Sequence, residues 1–166
     1  MAWGASKNWR QKLVPWVGLA LIVVLLDQVS KLAIEHSLRF GEVRPVTNFF
    51  SLVLTYNTGA AFSFLADAGG WQSGLFTLIG VGASLFMLYL LARHGTQKLF
   101  SFALALILGG AIGNVIDRVA YGHVIDFLLF YYREWRWPAF NLADSAIVCG
   151  AVLLVCDELV RVRRAK

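Results

Sequence analysis

Two aspartates, Asp126 and Asp144, occur in a chain where carboxylates are expensive, because 58% of its 166 residues are apolar and only 15% are charged. Each lies beside apolar residues, Asp126 in Val124–Phe127 and Asp144 in Phe140–Ser145. An ionisable group at membrane depth is costly and indicates a functional site. Two carboxylates that meet cannot both ionise, so one stays protonated as a general acid while the other acts as a base. The two residues therefore form a candidate aspartyl dyad.

Other polar residues in apolar surroundings have structural interpretations that compete with catalytic ones. Asp27 and Lys31 are four residues apart, which favours an ion pair on one helix face, although Asp27 is also a rival catalytic candidate. Asp144 is alternatively an acid that caps a helix N-terminus. Asn114 and Arg118 also share a helix face, and we favour a structural or orienting role for Arg118 over direct chemistry.

The elements that must position these residues are membrane-spanning helices, which need roughly 20 mostly apolar residues. Four segments qualify, at about 13–34, 71–92, 99–116 and 139–156. The N-terminus resembles a secretory signal, but no small-x-small cleavage site follows it, so we interpret it as a retained first helix. Gly109 and Gly113 have the four-residue spacing that lets helices pack closely in lipid. The sequence predicts one all-α membrane domain over residues 1–166.

Basic residues predict the orientation of these helices, because loops on the inner side of a membrane carry an excess of Lys and Arg. With the N-terminus inside, the inner segments hold most of the basic residues. These are Lys7, Arg10, Lys12, Arg93, Lys98, Arg161, Arg163, Arg164 and Lys166. Both termini are then inside, and the two larger loops, about 35–70 and 117–138, are outside. Asp126, Asp144 and the other unusual polar residues therefore converge on the outer end of the bundle.

The two outer loops have different composition. Residues 43–56 are rich in Val, Thr, Phe and Tyr, which predicts short strands, and Pro45 favours an edge strand. Residues 127–137 combine Phe, Tyr and Trp with Arg133 and Arg136, a composition typical of a membrane interface. We expect a small β-rich cradle in the first loop and a short interfacial helix in the aromatic segment.

Several other chemistries are disfavoured by the sequence. His36, His94 and His123 do not approach cysteines or carboxylates at metal-ligand spacing, so no metal is expected. The serines lack a Gly-x-Ser-x-Gly motif, and the basic residues do not alternate with stacking aromatics as they do in nucleic-acid sites. Cys149 and Cys156 are about 10 Å apart along one helix, too far for a disulfide, and we expect both to be buried.

Several boxes in this order resemble the lipoprotein signal peptidases, also called the signal peptidase II family, over nearly the whole chain. The matching boxes are Asp27–Lys31, Asn57–Phe62, Gly109–Arg118, Val124–Phe127 and Phe140–Ser145. The resemblance implies four helices with both termini cytoplasmic, two periplasmic loops and a site near the periplasmic face of the bacterial inner membrane. It also implies an aspartyl endopeptidase that cuts the signal peptide from prolipoproteins just before a diacylglyceryl-modified cysteine.

The resemblance also assigns positions in the site. The catalytic dyad falls on Asp126 and Asp144, while Asp27 and Lys31 fall on a structural polar box. The positions that line the site fall on Asn57, Gly59, Asn114, Arg118, Asn141 and Ala143. No cofactor is implied, and the expected partners are the diacylglyceryl-prolipoprotein and membrane lipid, with the enzyme monomeric and binding no nucleic acid.

A competing hypothesis is a small proton-coupled transporter or channel subunit that uses the carboxylates as a proton relay. A relay requires ionisable groups distributed through the bundle. The second and third predicted helices are uncharged through their middles, and the polar groups stop at one end. The peptidase interpretation therefore accounts better for where the carboxylates lie.

Overall fold

The computed structural model describes residues 5–59 and 71–164, with side chains from residue 12 onward. Within these ranges the chain forms four helices and four strands. In chain order they are α1 (Ala5–Ser37), β1 (Val43–Pro45), β2 (Phe50–Asn57), α2 (Trp71–His94), α3 (Lys98–Tyr121), β3 (Val124–Tyr132), β4 (Trp135–Arg136) and α4 (Leu142–Arg164). The predicted helices are thus present, and each is longer at one or both ends than its apolar stretch suggested.

Three helices of the described chain are long and apolar enough to cross a membrane: residues 12–37 of α1, and α2 and α3. Helix α4 has 23 residues, but its last turn carries three arginines. We expected the outer loop to begin at about residue 117. Helix α3 instead continues to Tyr121, so Asp117 and Arg118 lie on that helix. Helix α4 begins at Leu142, which leaves Asn141 just before its first turn.

Helix α3 lies at the centre of the bundle and packs against α1, α2 and α4. Its small residues permit this close approach. A Cβ built on Gly109 would lie 2.7 Å from the carbonyl oxygen of Ala20 on α1, and one on Gly110 would collide with the carbonyl oxygen of Ala143 on α4. The close packing predicted from the glycine spacing is therefore confirmed, and it brings helix backbones into direct contact.

The four strands form one antiparallel arrangement in the order β1–β2–β3–β4. Pro45 lies on the edge strand, as predicted. The interfacial helix expected in the aromatic segment is wrong, because residues 124–132 form β3, paired along β2. The β-branched and aromatic side chains of this segment favour a pleated surface, and β2 provides an edge for it to pair with. Ile34 and Leu38 at the end of α1 pack beneath the sheet.

Strand β3 also holds the chain that enters α4. The backbone N–H groups of Phe127 and Leu128 donate to the carbonyl oxygen of Phe140 at 3.0 and 2.8 Å, and Phe140 N–H donates back to Leu128 at 3.1 Å. The residue after Phe140 is Asn141, and the residue before Phe127 is Asp126. This pairing therefore brings the start of α4 against the carboxylate-bearing end of β3.

The helix packing yields a first prediction, on Gly113→Ala. A Cβ at Gly113 would lie 2.6 Å from Oδ2 of the buried Asp27, so the substitution should destabilise the protein by about 1–3 kcal/mol through overpacking. Gly82→Ala is the matched control, because Gly82 is also mid-helix and has nothing within 4 Å of the added atom. The control should be neutral or stabilising by about 0.4–1 kcal/mol. Thermal unfolding in detergent measures both, and equal melting temperatures would contradict the packing argument.

Candidate active site

Asp126 and Asp144 line the same cavity, which has a volume of about 840 Å³. Asp126 lies on β3 and is only 2% exposed, whereas Asp144 lies in the first turn of α4 and is half-buried. The cavity wall continues through Trp137 and Phe140 to Val148 and Cys149 on α4. The structure thus brings together the two carboxylates that the sequence singled out, at the mouth of a mostly apolar cavity.

Asn57, at the end of β2, donates one hydrogen bond to Asp126. Its side-chain Nδ2 lies 3.0 Å from Asp126 Oδ2, and its Oδ1 accepts the backbone N–H of Gly59 at 2.8 Å. The Gly59 donor fixes which end of the amide faces the carboxylate, because an oxygen is required on the other side. Gly59 has a φ of 115°, and a Cβ there would lie 2.5 Å from the Phe76 ring, so this turn requires glycine.

Asn141 donates a second hydrogen bond to Asp126. Its Nδ2 lies 2.7 Å from Asp126 Oδ1, while its Oδ1 accepts the backbone N–H of Asp144 at 2.9 Å. In return, the Asn141 backbone N–H donates to Asp144 Oδ2 at 3.3 Å. This reciprocal pair is a capping box at the start of α4. The structural interpretation of Asp144 as a capping acid is therefore correct, and the same carboxylate also lines the cavity.

Asn114 on α3 completes the set of amide donors. Its Nδ2 donates to Asp144 Oδ1 at 2.8 Å. Its Oδ1 accepts from Asn141 Nδ2 at 3.2 Å and from the Lys31 ammonium at 3.3 Å. All three asparagines thus direct an amide nitrogen at a carboxylate, and each has its oxygen occupied by another donor.

The electrostatics of the cavity favour a proton on Asp126. Burial and, to a smaller extent, the nearby charge of Asp144 together raise the pKa of Asp126 from 3.8 to about 7. The hydrogen bonds from Asn57 and Asn141 act in the opposite direction but are smaller in effect. At pH values around 7 this arrangement therefore keeps the more deeply buried carboxyl group partly protonated.

A buried ion cluster of Asp27, Lys31 and Asp117 lies behind this wall. The Lys31 ammonium is 2.7 Å from Asp27 Oδ2 and 2.7 Å from Asp117 Oδ2, and all three residues are at most 1% exposed. The ion pair predicted from the spacing of Asp27 and Lys31 is present. The sequence did not predict Asp117 as the second partner of Lys31. It also did not predict the role of Gln28, whose Nε2 donates to Asp117 Oδ1 at 2.8 Å. Polar residues four apart on α1 were the only signal for this cluster.

The ion cluster reaches both segments that carry the dyad. Asp27 Oδ1 accepts the backbone N–H of Ala143, the residue before Asp144, at 2.9 Å. Asp117 Oδ2 accepts the backbone N–H of Ile125, the residue before Asp126, at 3.2 Å. Ala143 is fully buried and contributes its backbone, which explains why a small apolar residue is placed there. Asp27 is not on the cavity wall, so its position is that of a supporting residue.

Arg118 lies on the cavity wall opposite the strands. Its guanidinium group is 5.5 Å from the centre of the Phe76 ring, and its Nη1 is 3.4 Å from the carbonyl oxygen of Asn114. Within the described residues its buried Nε has no hydrogen-bond partner. The cation therefore faces the cavity with donor capacity to spare. Of the predicted Asn57–Phe62 box, residues 60–62 lie outside the described residues.

Cys149 and Cys156 are both exposed, so the expectation that they are buried is wrong. In a membrane helix an apolar residue lies in contact with lipid as readily as with protein, so low polarity does not predict burial. Cys149 lies on the part of α4 that borders the cavity.

The chain is similar to one known family over most of its length. The profile of the signal peptidase (SPase) II family matches residues 19–160. A lipoprotein signal peptidase of Paraburkholderia phytofirmans is 65% identical over 154 residues, covering 93% of this chain and 90% of that protein. Lipoprotein signal peptidases of Burkholderia mallei and Burkholderia thailandensis are each 60% identical over 166 residues, with both chains fully covered.

Two solved structures have the same fold. Both are described as bacterial membrane enzymes determined by the in meso method, one at 2.3 Å and one at 1.9 Å resolution. The first has a TM-score of 0.82 and 28% identity, covering 93% of each chain. The second has a TM-score of 0.77 and 28% identity, covering 89% of this chain and 94% of that one.

The ion cluster yields a second prediction, on Lys31→Met. Removing the cation leaves two buried carboxylates without a compensating charge, which should cost about 3–5 kcal/mol of unfolding free energy. Arg161→Met is the control, because Arg161 pairs with Glu158 on an exposed part of α4, where such a pair contributes about 0–1 kcal/mol. Denaturant titration in mixed micelles gives both values. A Lys31→Met protein as stable as the control would show that the cluster does not hold the helices.

Proposed function

The chain belongs to the signal peptidase II family, and from that premise we propose that it removes signal peptides from diacylglyceryl-modified prolipoproteins as a membrane aspartyl endopeptidase. Cleavage falls just before the lipidated cysteine. The observation that carries the proposal is the pair of carboxylates, Asp126 and Asp144, on one cavity wall. Relatives at 60–65% identity named lipoprotein signal peptidase support the choice of substrate.

In the proposed reaction, Asp126 is the general acid and Asp144 the general base. Asp144 accepts a proton from a water molecule, whose oxygen attacks the carbonyl carbon of the scissile peptide. Asp126 donates its proton to the carbonyl oxygen, which gives a neutral tetrahedral intermediate. Collapse of that intermediate breaks the C–N bond. The proton on Asp144 passes to the leaving amine of the lipidated cysteine, and one hydroxyl of the intermediate returns its proton to Asp126 as it becomes the new carbonyl. The raised pKa of Asp126 supports this assignment.

Asn57, Asn114 and Asn141 orient the two carboxyl groups. Arg118, with its unused donor on the cavity wall, is placed to hold a carbonyl oxygen of the substrate. Gly59 and Ala143 shape the backbone around the dyad, and Asp27 with Lys31 supports it from behind. No metal or cofactor takes part in the proposed reaction.

The proposed topology has four spans, with α4 as the fourth, and both termini in the cytoplasm of a bacterium. The dyad then lies near the periplasmic face of the inner membrane, with the sheet as a cradle over it. The apolar part of the cavity, along Val148 and Cys149, borders the exposed side of α4. Acyl chains of the substrate remain in lipid there while the peptide reaches the carboxylates, and a single copy of the chain suffices.

The test of the dyad is the pair of substitutions Asp126→Asn and Asp144→Asn. Each should lower kcat by about 10²–10⁴-fold, because each removes one member of an acid–base pair. Cleavage of a lipidated prolipoprotein by purified enzyme in detergent measures the loss, with Glu42→Gln as a control at an acid that does not line the cavity. Near-normal turnover by either folded Asn variant would refute the proposed chemistry. Proton flux through the protein in proteoliposomes would then favour the competing hypothesis of a proton-coupled transporter.

The pKa of Asp126 predicts the alkaline limb of the pH profile. Activity should fall as the pH rises through about 7, because the general acid then loses its proton. Asn57→Ala removes a hydrogen bond that stabilises the ionised form, so the pKa of Asp126 should rise and the limb should move by about one unit to higher pH. Thr58→Ala, on the same cavity wall, should leave the limb in place. If Asp126 is instead the base, Asn57→Ala will move the acid limb to higher pH and leave the alkaline limb in place, which would reverse the assignment.

A further inference from the structure

A second cavity lies at the opposite end of the bundle from the dyad. It has a volume of about 240 Å³ and lies between the start of α3 and the last turns of α4. Three basic side chains line it, Lys98, Arg161 and Arg164, together with the single acid Asp157. Neither the proposed reaction nor the ion cluster uses any of these residues.

The charge around this cavity is unbalanced. Arg161 also pairs with Glu158, but among the described residues Lys98 and Arg164 form no salt bridge. Lys98 is the first residue of α3, where the helix dipole is unfavourable for a cation, and the first turn of α3 contains no acid. Gln97, at the cap position, makes no side-chain capping hydrogen bond. An anion in the cavity would compensate both the cations and the uncapped helix end.

The size and position of the cavity indicate which kind of anion would bind there. A volume of about 240 Å³ corresponds to roughly eight water molecules, enough for a phosphate with a glycerol but too small for a nucleotide. The apolar side chains of Leu99 and Val160 form part of the lining, and both are exposed. In the proposed topology this end lies at the cytoplasmic interface, where basic clefts between helices bind anionic headgroups.

We propose that this cavity binds the phosphodiester headgroup of an anionic phospholipid of the inner leaflet. Lys98 and Arg164 contact the phosphate, Arg161 completes the basic rim, and the acyl chains pass Leu99 and Val160 into the bilayer. The bound lipid joins the start of α3 to the end of α4. This inference rests on the proposed topology but not on the aspartyl chemistry.

The experiment compares the full-length wild type with the double variant Lys98→Gln/Arg164→Gln after delipidation in detergent. Dioctanoyl-phosphatidylglycerol is titrated, and thermal unfolding reports binding, because a ligand that binds only the folded state raises the melting temperature. The concentration for half-maximal stabilisation should rise at least tenfold in the double variant. Arg163→Gln is the matched control, because Arg163 lies on the same turn of α4 but does not line the cavity. It should titrate like the wild type.

Two further arms identify the source of the anion. Dioctanoyl-phosphatidylcholine at the same concentrations should stabilise the wild type weakly, and inorganic phosphate should not displace the lipid at equal concentration. Equal stabilisation by phosphatidylcholine, displacement by inorganic phosphate, or an unchanged titration in the double variant would each overturn the proposal.

If the double variant does not fold, native mass spectrometry of the wild type must show retained phosphatidylglycerol in preference to phosphatidylcholine. Cleavage by the double variant in detergent should stay within twofold of wild type, which separates this test from that of the dyad.

Discussion

The buried ammonium group of Lys31 is the constraint on which the rest of the site depends. The ammonium donates hydrogen bonds to Asp27 and Asn114 and forms an ion pair with Asp117 at 2.7 Å. A cation without partners at this depth would cost several kcal/mol, so its acceptors on α1 and α3 must remain within hydrogen-bond distance. The two helices are therefore fixed in register by charge, in addition to the small-residue contacts that set their separation.

The side chains that contact Lys31 also contact the segments that carry the dyad. Asp27 holds the backbone of Ala143, Asp117 holds that of Ile125, and Asn114 donates to Asp144 itself. The polar groups form one connected network from the interior of the bundle to the cavity wall. A network of this kind orients carboxylates before substrate arrives, so little reorganisation is needed during the reaction. Its members are coupled, and the effects of removing two of them should not add.

Sequence reasoning succeeded where the signal was local and failed where the partner was distant. The spacing of Asp27 and Lys31, the glycines of α3 and the edge position of Pro45 each follow from a few consecutive residues. The pairing of Asp117 with Lys31 was not predicted, because the residues next to Asp117 in the sequence do not indicate a lysine on another helix. The interfacial helix predicted for the aromatic segment at 127–137 is wrong, because aromatic residues mixed with arginine suit a helix and a strand alike, and only pairing with the edge of β2 decides between them.

The dyad requires two properties that oppose each other, and the fold separates them between its two members. A carboxyl group holds its proton near neutral pH only where water is scarce, yet hydrolysis needs water beside a carboxylate. Asp126 satisfies the first condition, because it lies on β3 with 2% exposure, between Asn57 and Asn141. Asp144 satisfies the second, because it is only half-buried, in the first turn of a helix, and lines the cavity. In the proposed reaction, the roles of acid and base therefore follow from which element carries each residue, since the strand β3 buries Asp126 more completely than the first turn of α4 buries Asp144.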